Sequence, residues 1–139
     1  MRFIVNTKGR NDIIDITPQV AQIIENSNIQ EGVALVFVPG STVAITAIEY
    51  ENGVIKDLKK ILEKIAPEND NYEHHKRWGD HNGAAHIKSA LLGADFMVPI
   101  EKGQLALGRW QQIVLIDFDE RPRQREVIVK ILSEQNKKS

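Results

Sequence analysis

A chain of 139 residues, 42% hydrophobic and 27% charged, suits a single globular domain over residues 1–139. Its net charge of −1 offers no overall attraction to nucleic acid or to an anionic membrane, so neither is expected as a partner. The absence of cysteine removes disulfides, thiolate metal sites and a cysteine nucleophile together.

The opening "MRFIVNTKGRNDIIDI" lacks the apolar core of a signal peptide, and no apolar run approaches a membrane span. A cytoplasmic protein is expected. "RFIVNT" and "DIIDIT" read as two short strands around the polar turn "KGRND". Thr17 is placed to cap a helix with Pro18 at its first position, and Val20, Ile23 and Ile24 share a face of it. "GVALVFV" has the continuous β-branched character of a buried strand. Pro39-Gly40 interrupts it, and "TVAITAIEY" resumes strand alternation.

"ENG" turns the chain into the clearest amphipathic helix, with Val54, Ile55, Leu58, Ile61, Leu62 and Ile65 at helical spacing and Pro67 as its stop. Residues 67–82 are polar and read as a long irregular loop. Asn82 is placed to cap a short helix through "GAAHIKSALLG", ended by Gly93. "DFMVPI", "GQLAL", "WQQIVLIDF" and "REVIVKIL" make the last third strand-rich, and "SEQNKKS" reads as a frayed tail. Strands and helices mix without strict alternation, which predicts an α+β fold.

Four stretches carry candidate chemistry. All four histidines, His74, His75, His81 and His86, fall in "YEHHKRWGDHNGAAH". Imidazole titrates near neutrality and ligates metals, so the cluster with Asp80 points to a catalytic or metal site, although its spacings match no standard zinc motif. The bland alternative is an exposed polar loop pinned by Trp78. "VPGSTVAIT" offers free backbone N–H groups and the hydroxyls of Ser41 and Thr42, either as an anion-binding nest or as an ordinary turn. "LGRWQQI" exposes Gln111 and an aromatic edge, or buries Trp110 and leaves Arg109 and Gln111 on the surface. "DFDERPRQR" brings Arg121, Arg123 and Arg125 together. On one strand face they would repel one another unless an anion, or the carboxylates of Asp117, Asp119 and Glu120, sat among them.

Taken in order, "PGST…AIT…E", "Y-x-H…W-G-D-x-N-G-x-x-H…G", "G-x-L-x-L-G-x-W-Q-x-I" and "D-x-x-x-R-P-R-x-R" resemble the secondary thiamine-phosphate synthase family, the YjbQ-like proteins, over nearly the whole chain. The resemblance implies a YjbQ-like α+β fold containing a β-sandwich flanked by helices and assembled as a homotrimer. It implies an enzyme able to couple a pyrimidine diphosphate with a thiazole phosphate, releasing pyrophosphate, as a secondary activity. The alternatives are a non-catalytic trimeric module for a small phosphorylated ligand and a metal-dependent phosphate-ester hydrolase. The residues carried over are His74, His86, Glu49 and Gln111 as catalytic groups. Ser41, Thr42, Asn82, Arg121 and Arg123 are carried over as substrate and phosphate contacts. His74 and His86, with His81 as a candidate third imidazole, are expected to ligate a divalent metal, zinc first. The chain departs from the family pattern at Gly40-Ser41-Thr42, where many relatives carry His-Thr-Thr. It departs also at His81, where glycine is common, and at Arg109, where threonine is.

Overall fold

The structure, a computed structural model, describes residues 1–134. The chain runs β1 (Arg2–Thr7), β2 (Asp12–Asp15), α1 (Thr17–Ser27), β3 (Gly32–Phe37), β4 (Val43–Ile48) and α2 (Asn52–Ile65). It continues through α3 (Glu73–Trp78), α4 (Gly83–Leu92), β5 (Asp95–Glu101), β6 (Gln104–Leu105), β7 (Gln112–Asp117) and β8 (Arg123–Ser133). The fold is the expected mixed α+β class. Most of the expected "SEQNKKS" tail lies outside the described residues.

Two antiparallel sheets form. One has the order β1-β8-β3-β5-β6, the other β2-β7-β4. The period-two pattern decides which faces meet. Val5 of β1, Ala34 and Val36 of β3, Val98 of β5 and Val127 and Val129 of β8 face inward. There they join Val43, Ile45, Ile113 and Leu115 of the smaller sheet and the α1 stripe Val20, Ile23, Ile24 in one core. A second core holds the far face of the smaller sheet. Ala44, Val114 and Ile116 pack there with Leu62 of α2, Ala85 of α4 and Phe118. β7 is therefore buried on both faces, which explains its continuous apolar run.

The outer face of the larger sheet is uncovered and partly apolar. Ile4, Phe37, Met97 and Leu132 are all exposed there. No helix is long and apolar enough to cross a membrane among the described residues.

Three local expectations change. Thr17 is the first residue of α1, not its cap; its hydroxyl instead accepts the Ile113 N–H at 2.8 Å, and Asp15 accepts the Thr17 N–H at 2.9 Å. Glu51 caps α2, accepting the N–H groups of Gly53 and Val54, so "ENG" is the entry of the helix. Part of the expected loop 67–82 is helix α3. It is too short and too polar to show periodicity, and it ends at Gly79, whose φ of 70° is the left-handed conformation glycine tolerates. The β1–β2 turn holds three successive left-handed residues, Gly9, Arg10 and Asn11. The N–H groups of Arg10 and Asn11 donate to the carbonyls of Asp119 and Asp117, at 2.7 and 2.8 Å.

Candidate functional site

The histidine cluster forms where α3 turns back into α4. The Tyr72 hydroxyl donates to the Pro67 carbonyl at 2.5 Å, anchoring the approach to α3. Gly83 N–H donates to His75 Nε2 at 2.9 Å, so that nitrogen carries a lone pair and His75 ties the two helices. A side chain at Gly83 would meet Tyr72 Cβ at 2.6 Å, which is why glycine opens α4 here. Asn82 stands at the N-cap position but makes no capping bond, contrary to the expected role.

This arrangement brings His74 and His86 together, with ring centroids 4.5 Å apart. Asp80 Oδ1 lies 2.9 Å from His74 Nδ1. Both atoms are shielded from solvent and have no other partner, and Asn82 Oδ1 is shielded without any partner. A buried polar atom without a partner, such as Asn82 Oδ1, is rare and costly. His74 also opens onto a surface cavity of about 460 Å³ shared with Lys76, Arg77 and Trp78. His81 packs its ring against His75, at 5.3 Å, rather than completing a trio with His74 and His86. Among the described residues no three His, Asp or Glu side chains converge as a metal-ligand set.

The remaining expected residues divide by position. α4 runs alongside β4: Ser89 Oγ donates to the Val43 carbonyl at 2.7 Å, and Ile45 N–H to the Gly93 carbonyl at 3.2 Å. The histidines therefore sit beyond the Val43 end of the smaller sheet. Glu49 and Gln111 lie beyond its other end, where Ile48 pairs with Gln112, and so are separated from the histidines by the length of β4. Gln111 Oε1 accepts the Gly108 N–H at 3.0 Å and closes a local turn. Trp110 in that turn is exposed, with the Arg109 guanidinium 5.0 Å from its ring centre.

The arginine cluster has internal partners. Arg121 precedes β8 and is exposed, so only Arg123 and Arg125 share its inward face. Arg125 Nε donates to Asp117 at 2.8 Å, and its Nη2 donates to Asp117 and to Thr42 Oγ1 at 2.9 and 2.8 Å. Arg123 reaches Asp119 through Nε at 3.0 Å and Nη2 at 2.8 Å. Thr42 and Thr7 donate to Asp119 and Asp117, at 3.1 and 2.6 Å. Asp117 and Asp119 are buried, whereas Ser41 is exposed. Burial pushes the Asp119 carboxyl up. The Glu120 N–H, the Arg123 guanidinium and the Thr42 hydroxyl outweigh it and hold the group below the usual carboxylate range. Of the two open readings of this stretch, the structure shows the internal one for Arg123 and Arg125, with carboxylates of the same chain beside them. Asp117, Asp119 and Arg125 stand in that stretch but are not among the expected site residues.

With this geometry in hand, comparison with known proteins decides the family. The model of the UPF0047 protein YjbQ-like family matches residues 1–134. The chain belongs to the YjbQ/UPF0047 family. This YjbQ-like chain is 42% identical over 132 residues to a UPF0047 protein of Archaeoglobus fulgidus, covering 95% of this chain and 100% of the relative. It is 34% identical over 129 residues to the UPF0047 protein YugU of Bacillus subtilis, covering 92% and 95%. Among solved structures it is similar to a YbjQ-like protein of unknown function from Sulfolobus solfataricus, with a TM-score of 0.87, 33% identity and coverage of 96% and 97%. An uncharacterised YjbQ/UPF0047 protein from Clostridium acetobutylicum gives 0.87, 36%, 95% and 99%.

These relatives correct the expected activity. The family is shown, but its function is uncharacterised, and neither thiamine-phosphate synthesis nor phosphate-ester hydrolysis is indicated for any of them. The alternative of a module for phosphorylated ligands gains nothing from them either. The internal pairs of Arg123 and Arg125 answer the charge repulsion that motivated a bound anion there.

Proposed function

We propose that the α3–α4 junction of this YjbQ-like protein is a divalent-metal centre, zinc first, held by His74 and His86. The close approach of His74 and His86, with the Asp80 carboxylate 2.9 Å behind His74 Nδ1, carries the reading. Two imidazoles whose centroids are 4.5 Å apart are close enough to share one ion at a nitrogen–zinc distance of about 2.0–2.1 Å. Asp80 beside His74 Nδ1 is the carboxylate partner that metal-bound histidines use to fix ring orientation. Asn82 Oδ1 offers a further oxygen. Two protein nitrogens leave coordination positions open, the pattern of a working rather than a structural site. When bound, such an ion supplies Lewis-acid polarisation of an oxygen-bearing ligand. The chain's own groups then act as positioners. His75 holds α3 against α4, and Trp78, Lys76 and Arg77 shape the approach to His74.

The uncovered apolar strip of the larger sheet, with Ile4, Phe37, Met97 and Leu132, supports assembly of copies through this face, and we read the protein as a homotrimer. The two packed sheets would then form a sandwich, and the lack of cysteine fits a cytoplasmic setting.

The deciding experiment is zinc equilibrium dialysis of untagged protein. One ion per chain is expected, with at least a hundredfold weaker binding in the His74→Ala/His86→Ala double variant. Equal zinc in parent and variant, both folded by circular dichroism, would refute the centre.

A further inference from the structure

At the opposite end of the smaller sheet from the histidines, the ends of β2 and β4 and the entrance of β7 border an open surface cavity of about 640 Å³. Small-molecule sites have this size. Tyr50 and Trp110 line it, together with the carboxylates of Asp15, Glu49 and Glu51 and a single cation, Arg109. The metal centre uses none of these groups.

Three lining side chains are fixed by hydrogen bonds to neutral groups. The Tyr50 hydroxyl donates to the Ile13 carbonyl at 3.0 Å, which fixes a ring that remains 43% exposed. Asp15 accepts the Thr17 N–H at 2.9 Å and the Gln112 side-chain amide at 3.2 Å. Glu51 accepts from Gly53 and Val54 N–H groups, at 2.8 and 2.9 Å. Hydrogen bonds from neutral groups orient a carboxylate without cancelling its charge. The three acids against one guanidinium leave a lining with a formal excess of two negative charges.

Trp110 shows what its surface can accept. Its ring already carries the Arg109 guanidinium at 5.0 Å, yet the residue stays 65% exposed. Aromatic faces attract cations through their quadrupole, and most strongly for tryptophan. An anionic ligand is repelled by this lining. A bare divalent ion needs carboxylates that converge within ligand distance, and no such convergence exists among the described residues. An organic cation needs only diffuse negative potential and aromatic walls.

We propose that this cavity binds a small alkylammonium ion, its charge facing Asp15, Glu49 and Glu51 and its methyl or methylene groups against Tyr50 and Trp110. The site stands apart from the histidine centre, so either can fail without the other.

Tetramethylammonium chloride is the probe, read by the indole N–H resonances of the full-length protein. Trp110 should shift saturably, while Trp78 on α3 stays fixed as the internal reference. Sodium chloride at equal ionic strength and tert-butanol, a neutral molecule of similar size, should not reproduce the shift. Line broadening of the ligand's methyl signal then measures variants. Trp110→Leu should weaken binding about fivefold and Glu49→Gln about threefold. Both side chains are exposed, so folding should survive, as a melting curve verifies; if Trp110→Leu does not fold, Glu49→Gln decides alone. A Trp110 shift matched by sodium chloride or tert-butanol overturns the proposal. So does unchanged affinity in Glu49→Gln.

Discussion

Two polar clusters stand toward the same end of the smaller sheet, and they treat their buried atoms differently. In the β7–β8 cluster, Asp117 accepts from Arg125 and Thr7, and Asp119 from Arg123 and Thr42. At the α3–α4 junction, His74 Nδ1 and Asp80 Oδ1 face only each other, and Asn82 leaves a shielded oxygen without a partner. Both contain the residue types of an active site. A completed network has spent its hydrogen-bonding capacity on the fold, while an incomplete one keeps capacity for a ligand. The arginines are thus read as structure and the histidines as function.

The sharpest way to break this contrast is to open the completed network. Arg125→Met leaves Asp117, fully buried, without its guanidinium, and should cost about 3–5 kcal/mol of stability in urea unfolding. A loss below about 1 kcal/mol would show that the pair does not hold the fold.

The second test acts on the incomplete cluster. Asp80→Asn keeps the shape but removes the charge beside His74, and zinc affinity should fall about tenfold or more at unchanged metal-free stability. Unchanged affinity would separate Asp80 from the centre.

The third test compares the two clusters directly in metal-free protein. Thr42→Ala strips a donor from Asp119 and an acceptor from Arg125, and should cost about 1–3 kcal/mol. Asn82→Ala deletes an acceptor that bonds to nothing, and should change stability by less than about 0.5 kcal/mol. Equal costs would erase the distinction.

The smallest effect lies in acid. The folded Asp119 carboxyl sits below its ordinary value, so the stability it contributes is present above the unfolded pKa. That contribution is lost as pH falls through the lower folded pKa. Arg123→Gln should flatten this part of the acid-unfolding profile below about pH 4 and leave the neutral side of the curve parallel to the parent. An unchanged acid limb would mean that Arg123 does not hold the carboxyl down.

Much of this molecule can be read from residue order alone. The β-branched runs and the Val54–Ile65 stripe announce most of the strands and α2, because burial on one face imposes a period. α3 is silent, since five polar residues and one tryptophan show no stripe. The histidine cluster stands out because its members are near in sequence. That His74 meets His86, while His81 turns to His75, depends on the αL turn at Gly79 and the close start of α4, neither of which has a periodic signature. The Asp117–Arg125 and Asp119–Arg123 pairs were one of two open readings. Choosing between them requires the hairpin geometry that sets β7 and β8 in separate sheets. The separation of Glu49 and Gln111 from the histidines is likewise a product of strand pairing.

The pairing of β1 with β8 reaches beyond the native state. Arg2 lies opposite Ile128, and β8 is also the neighbour of β3, so the first half of the larger sheet has no complete edge until the last strand arrives. Contacts this distant in sequence make for slow folding, in the millisecond-to-second range rather than microseconds. On a ribosome, β1 and one edge of β3 wait with unpaired backbone groups through synthesis of all the segments that build the histidine junction. The interval in which this chain is most exposed to misassociation is therefore set by β8, the last strand to be made.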